Sequence, residues 1–160
     1  MSQVVFYILD EQAEPESQVL PAHFAYACST AAFYYLQNRK VFIYTDTRQD
    51  AFAVDEYLWQ FDGDSFVPHN LLGEGPRFGT PVEISWQAPT HPRQILINLS
   101  SNVPDFAVNF QQVIDFVPFA ELLKIAARTR YSAYKKMGLT LSTQTVKNTE
   151  TVESTTKTED

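Results

Sequence analysis

A chain of 160 residues that is 44% apolar and 14% aromatic is long enough for one domain with a substantial core and too short to expect two. A formal net charge of -7 excludes the broad grip on nucleic-acid phosphate that clustered Lys and Arg provide, so any contact with an anion must be local. Cys28 is the only cysteine, which excludes an internal disulfide and a thiolate metal site and leaves it to pack as a small apolar side chain.

The N-terminus, MSQVVFYILDEQAE, has no basic residue before its short apolar run, and no run approaches the roughly 20 apolar residues that span a bilayer. A cytoplasmic protein without membrane contact is expected. Val4 to Leu9 is continuous, β-branched and aromatic, and reads as a buried strand. From about Pro21, Phe24, Ala25, Cys28, Ala31, Ala32, Tyr35 and Leu36 recur at helical spacing, with an end near Asn38. Val41 to Tyr44 is a second strand, and Thr47 with Asp50 three residues later starts a helix running to Leu58 or Trp59.

Ser65 to Trp86, SFVPHNLLGEGPRFGTPVEISW, holds three of the five glycines with Pro68, Pro76 and Pro81 among them. Glycine supplies backbone angles other residues avoid and proline fixes φ, so the stretch predicts a tightly specified turn between two extended pieces. Its interleaved Phe66, Val67, Leu71, Leu72 and Phe78 require it to lie against a core or a partner. Val82 to Trp86 and Ile95 to Leu99 then read as strands, with a short helix around Asp105 to Phe110 and a strand at Val113 to Val117. A long helix follows from about Phe119 to Met137, with Gly138 placed for a left-handed cap. Strands alternating with helices predict a single α/β domain with a mostly parallel sheet covered by helices on both faces. That domain is assigned to residues 1–140; residues 141–160 are Thr-rich with almost no large apolar side chain, and disorder is expected beyond about Val146.

Enzymatic signals are weak. The turn after the first strand carries Asp10, Glu11, Glu14 and Glu16 where phosphate binding needs glycines and no negative charge, and GEGPRFG lacks the Gly-Lys-Ser/Thr ending. His23, His69 and His91 show no metal-binding spacing, and a backbone hydrogen bond is the preferred role for His69. Asp10 and Asp46 follow the first two strands and are assigned turn or capping roles in preference to a carboxylate pair.

On the last helix, at 100° per residue, Lys124, Arg128, Tyr131 and Lys135 share a narrow sector, while Phe119, Leu122, Ala126, Ala133 and Met137 centre on the opposite side and are expected to face the core. A solvated charged face is the ordinary explanation of such a stripe. Tyr131 between Arg and Lys nevertheless offers a flat apolar contact with charge partners for a carboxylate, as an acidic peptide ending in an aromatic residue requires. Arg130 falls on the inward side, where it must pair with a carboxylate or reach outward.

FVPHNLLGEGPRFGTPVEISW, with the upstream DEYLWQF and the downstream DFVPF and LLKIAARTRYSAYKKMGL, resembles the chi subunit of the bacterial DNA polymerase III clamp loader, over Phe6 to about Thr145. The resemblance implies a non-catalytic adaptor without cofactor, part of the polymerase holoenzyme. It implies binding of the acidic C-terminal tail of the single-stranded-DNA-binding protein at Val117, Lys124, Arg128 and Tyr131, with no tight binding of bare nucleic acid. Relatives often have a base directly after the tyrosine; Ser132 stands here, and Lys135 is the candidate substitute. Trp59 and Phe66 match positions that contact the psi subunit and, in some relatives, a helicase-like partner. Leu58 and Phe61, in the same aromatic cluster, are assigned to the core. The competing reading is a small nucleotide-dependent or hydrolytic enzyme with ligand near Asp10 and Asp46.

Overall fold

A computed structural model describes residues 2–10, 20–60, 67–72 and 80–146. Most of the glycine-rich turn, Phe61, Phe66 and residues 147–160 lie outside the described residues. The elements follow in the order β1 (Gln3–Leu9), α1 (Ala22–Leu36), β2 (Val41–Tyr44), α2 (Arg48–Trp59), β3 (His69–Leu71), β4 (Val82–Ser85), β5 (Ile95–Asn98), a short 3-10 helix (Asp105–Asn109), β6 (Gln112–Val117), α3 (Glu121–Lys136) and β7 (Thr140–Val146).

The sheet has seven strands in the order β3-β4-β2-β5-β6-β1-β7, and every pair is parallel. Parallel pairing requires crossovers, which place helices on the faces and demand apolar side chains on both sides of the inner strands. Thus β2, VFIY, and β5, ILIN, have hardly an exposed residue. One face packs beneath α1 and α2, with Tyr7, Leu9, Ile43, Ile84, Ile97, Ile114 and Phe116 against Ala27, Cys28, Ala31, Val54 and Leu58. The other packs beneath α3 and the 3-10 helix, with Val4, Phe6, Phe42, Leu96 and Val113 against Ala127, Tyr134 and Phe110. The expected mixed coverage is realised, and the sheet is wholly parallel. Cys28 is fully buried, and that burial pushes its thiol well above the ordinary range, as befits a packing residue.

Helix ends follow local chemistry. The Thr47 hydroxyl accepts the Asp50 N–H at 3.0 Å, a cap of about 1 kcal/mol. At the end of α3, Gly138 has φ 87°, its N–H bonds to Lys135 C=O, and the Leu139 N–H bonds to Tyr134 C=O. This pair of bonds closes the helix in a Schellman motif. Asn38, at φ 61°, makes the same closure for α1 through Tyr35 and Tyr34, with asparagine tolerating the left-handed region.

Two segments differ from expectation. β3 forms at His69–Leu71, inside the stretch read as a turn, and extends the sheet beyond β4. At the far side, Thr140–Val146 pairs with β1 over its whole length, so the boundary drawn at residue 140 runs through an ordered strand. Its apolar content is low because it lies at the sheet edge, where only Val146 is buried.

His23, on the first turn of α1, stands edge-on to Phe24 at 5.0 Å and near Phe116, and its Nδ1 is buried without a hydrogen bond. Burial, and then the charge of Arg130, lower its pKa to about 4. Folding therefore favours the neutral ring: its stabilising contribution is complete above the unfolded value of 6.5 and is lost as pH falls towards 4. Urea unfolding at pH 7 and pH 4.5 should show a loss of about 2–3 kcal/mol that His23→Leu lacks; parallel losses in both proteins would refute it.

Candidate functional site

Val117 ends β6 on the face beneath α3, followed by Pro118, which interrupts the ladder, and α3 begins at Glu121. The helix seats itself on the sheet through a buried polar network. Arg130 Nε lies 3.2 and 3.1 Å from the two Asp115 carboxylate oxygens, and a terminal nitrogen lies 3.0 Å from Oδ1. The same guanidinium donates to Phe116 C=O at 3.0 Å. The Tyr134 hydroxyl donates to Asp115 Oδ2 at 2.7 Å, and Asn98 Nδ2 donates to both the carboxylate and the phenol oxygen. Complete burial pushes the Asp115 pKa up, against the pull of Arg130, Tyr134 and the Phe116 N–H, and the Tyr134 phenol is driven well above its ordinary range. Arg130 therefore pairs with a carboxylate inside the fold, which settles its two sequence alternatives.

That pairing also corrects the orientation read from the helical wheel. The residues of α3 that are buried are Ala127, Arg130 and Tyr134, whereas Leu122 is 80% exposed and Phe119 and Ile125 are 40% and 48% exposed. The core-facing centre is turned by roughly a quarter of a circle from the apolar count, because the buried network of Arg130, Asp115 and Tyr134 seats the helix on the sheet. Lys124, Arg128, Tyr131 and Lys135 consequently stand on the flank of the helix and not on its outermost ridge.

The flank has a definite direction. Arg130 reaches towards β6, while the Tyr131 ring lies 5.5 Å from the fully buried Phe6 of β1, at 46°, with 37% of the residue exposed. The stripe therefore overlooks the β1 and β7 side of the sheet. Ile8, two residues beyond Phe6, is in register with Val117 on one side and Thr145 on the other, which places Val117 one strand over from β1. Lys124 Nζ sits 4.9 Å from the Phe119 ring centroid, Arg128 and Lys135 are exposed, and among the described residues Arg128 has no ion-pair partner. Lys124, Arg128, Tyr131 and Lys135 thus lie along one flank of α3, and Val117 ends the strand next to β1, so cations and an aromatic face stand on the same side of the sheet.

At the other end of the sheet, Trp59 closes α2 with 60% exposure while Leu58 is buried. The Trp59 ring lies 4.8 Å from that of His69, whose Nδ1–H donates to Val67 C=O at 2.7 Å and whose Nε2 is 3.4 Å from Asp55 Oδ1. The backbone role expected for His69 is present. Phe66, its sequence companion, lies outside the described residues. A second buried ion pair, which sequence reading missed, joins Arg93 Nε to Glu83 at 3.1 Å, with Arg93 also donating to Val41, Pro81 and Thr80 carbonyls. Its signal was a glutamate inside the apolar strand VEIS, just as Asp115 stands inside VIDFV.

The two aspartates of the enzymatic reading are not brought together. Asp46 accepts the Ser101 N–H at 2.9 Å and its hydroxyl at 2.5 Å, which ties the loop after β2 to the loop after β5 in place of the local turn or cap expected. Asp10 follows β1, and β2 lies three strand spacings away, about 14 Å. No group of three or more His, Cys, Asp or Glu that could hold a metal ion exists among the described residues. A cleft of about 420 Å³ does exist, lined by Asn38, Lys40, Arg93, Gln94 and Gln111. It lies at the amino ends of β2, β5 and β6, remote from both aspartates.

Together these features define a layered α/β domain with a cation-bearing helix flank above the β1 side of its sheet. The chain belongs to the family described as DNA polymerase III chi subunit, HolC, whose profile matches residues 1–142. It is 42% identical over 149 residues to the DNA polymerase III subunit chi of Escherichia coli K12, covering 92% of this chain and 100% of that protein. Identity to the Haemophilus influenzae subunit chi is 41% over 143 residues, 88% of this chain and 95% of the relative, and to the Pseudomonas aeruginosa subunit chi 30% over 142 residues, 88% and 94%. The chain is accordingly a component of the replicase family. Among the described residues no helix is long and apolar enough to cross a membrane.

Proposed function

We propose that this chi subunit is a non-catalytic adaptor with two docking surfaces. The surface formed by Val117, Lys124, Arg128 and Tyr131 receives the acidic C-terminal tail of the single-stranded-DNA-binding protein. The surface at Trp59 and Phe66 holds the psi subunit, which ties the chain to the clamp loader, and is where a helicase-like alternative partner would compete. The observation that carries the reading is Arg128, without an ion-pair partner among the described residues, beside a half-exposed Tyr131 whose ring is braced on buried Phe6. A base and a flat apolar surface held on a rigid helix suit a terminal carboxylate and ring. Two weak attachments on one body raise residence at the template through effective concentration, and the net charge of -7 suits a protein that grips the coat protein and leaves bare DNA alone.

Co-purification separates the surfaces. Trp59→Ala and Phe66→Ala should each abolish recovery of psi while leaving tail-peptide binding unchanged. Psi retained by both folded variants would reject that interface. Trp59, with 60% exposure, can be truncated with little loss of core packing, so the folding control is favourable.

A further inference from the structure

Among the described residues, β7 is one end of the sheet. The Thr140 N–H bonds to Ser2 C=O, and along a strand the N–H and C=O of alternate residues turn to the same neighbour. Residues 140, 142, 144 and 146 therefore turn towards β1. Leu141, Thr143 and Thr145 present their N–H and C=O groups away from the sheet. Strand edges are ordinarily guarded by Pro, Lys, a bulge or a very short length. β7, TLSTQTV, has none of these: its seven residues pair with β1 without a register break. The opposite end of the sheet, β3, is kept to three residues.

The outer edge of β7 lies one strand beyond β1, on whose Phe6 Tyr131 of the cationic flank rests. Thr143 is in register with Phe6, on which Tyr131 rests, and the side chains of Leu141, Thr143 and Thr145 share the face beneath α3. From Lys124 to Lys135 the helix advances about 16 Å, and β7 is about 20 Å long. An extended segment of about six residues laid beside β7 would remain within reach of the stripe throughout.

We propose that β7 takes up an acidic peptide as an eighth strand. The peptide runs parallel to β7, its carboxyl end beside Val146, and its alternate side chains turn towards Lys124, Arg128 and Lys135. This rests on the tail-binding function proposed above and deepens it by stating how the tail is held: main-chain bonds supply affinity and the helix flank selects acidic sequences. Charge selects the occupant, since a second copy of this chain would bring another strand without acids on a body of charge -7.

The test is calorimetry of a nine-residue acidic peptide ending in phenylalanine, and of the same peptide N-methylated at single successive backbone nitrogens. Methylation should weaken binding at every second position only, and Thr143→Pro, which removes no bond to β1, should weaken it by about fivefold or more. Unchanged affinity for every methylated peptide, or weakening without the two-residue period, overturns strand addition. If Arg128→Ala still weakens binding in that case, the tail site stands and only its mode is wrong; if neither affects it, the site itself is rejected. Should Thr143→Pro fail to fold, the methylation series on the unmodified protein decides. Self-association that Thr143→Pro abolishes, with peptide affinity intact, would assign the edge to a second copy and also overturn the proposal.

Discussion

Arg128→Ala weakens the acidic tail peptide by at least tenfold in calorimetry, a loss of about 1.4 kcal/mol or more. The magnitude follows from what the side chain offers. A hydrogen-bonded charge pair contributes about 1.5–3 kcal/mol, and an exposed setting trims that through solvent screening. Arg128 is exposed, so the lower bound is the appropriate expectation. Alanine leaves no uncompensated charge behind, because among the described residues Arg128 pairs with no carboxylate, and the variant should melt like the unmodified protein. The wild-type affinity should also fall as salt rises. Equal affinities for the two proteins at low salt would remove Arg128 from the site. Ser132 is exposed and adds no charge, so any substitute for a base at that place must come from Lys135 one helical turn on.

Arg130→Ala should have the larger effect, and on stability. It removes the guanidinium that lies 3.0 Å from Asp115, whose side chain is 1% exposed, and strands a carboxylate with only Tyr134, Asn98 and the Phe116 N–H around it. Breaking a buried pair from one side costs about 3–5 kcal/mol. For a domain of this size the melting temperature should fall by on the order of 10 °C. Removing both charges together, as Asp115→Asn with Arg130→Met, should recover most of the loss because no buried charge is then left unpaired. A drop below about 1 kcal/mol for the single variant would mean that the pair contributes far less than its geometry indicates.

Local signals carried the sequence reading a long way. The bounds of β2 and α2 followed from a four-residue apolar run and a Thr-x-x-Asp cap, and both are reproduced in the fold. Gly138 closes α3 as its position predicts. β3 was hidden because a three-residue strand inside a proline- and glycine-rich stretch has no periodicity to detect. β7 was hidden for a different reason, since an edge strand with open sides needs little apolar content and so resembles a tail. The orientation of α3 was misjudged because the centre of the apolar residues was taken as the core-facing side, whereas Arg130 and Tyr134, both bonded to Asp115, set it. Even so, the common sector of Lys124, Arg128, Tyr131 and Lys135 was legible, because it depends on helical spacing and not on which way the helix is turned.

β1 is flanked by β6 and β7, both drawn from the closing portion of the chain. During translation it leaves the ribosome first and then waits, with Val4 and Phe6 uncovered, until nearly everything downstream has been made. Such distant pairing slows folding and prolongs exposure of sticky segments. A nascent chain arrested before Thr140 should therefore be a better chaperone client and protease substrate than one released past Val146, and the final strand serves as the latch of the whole sheet.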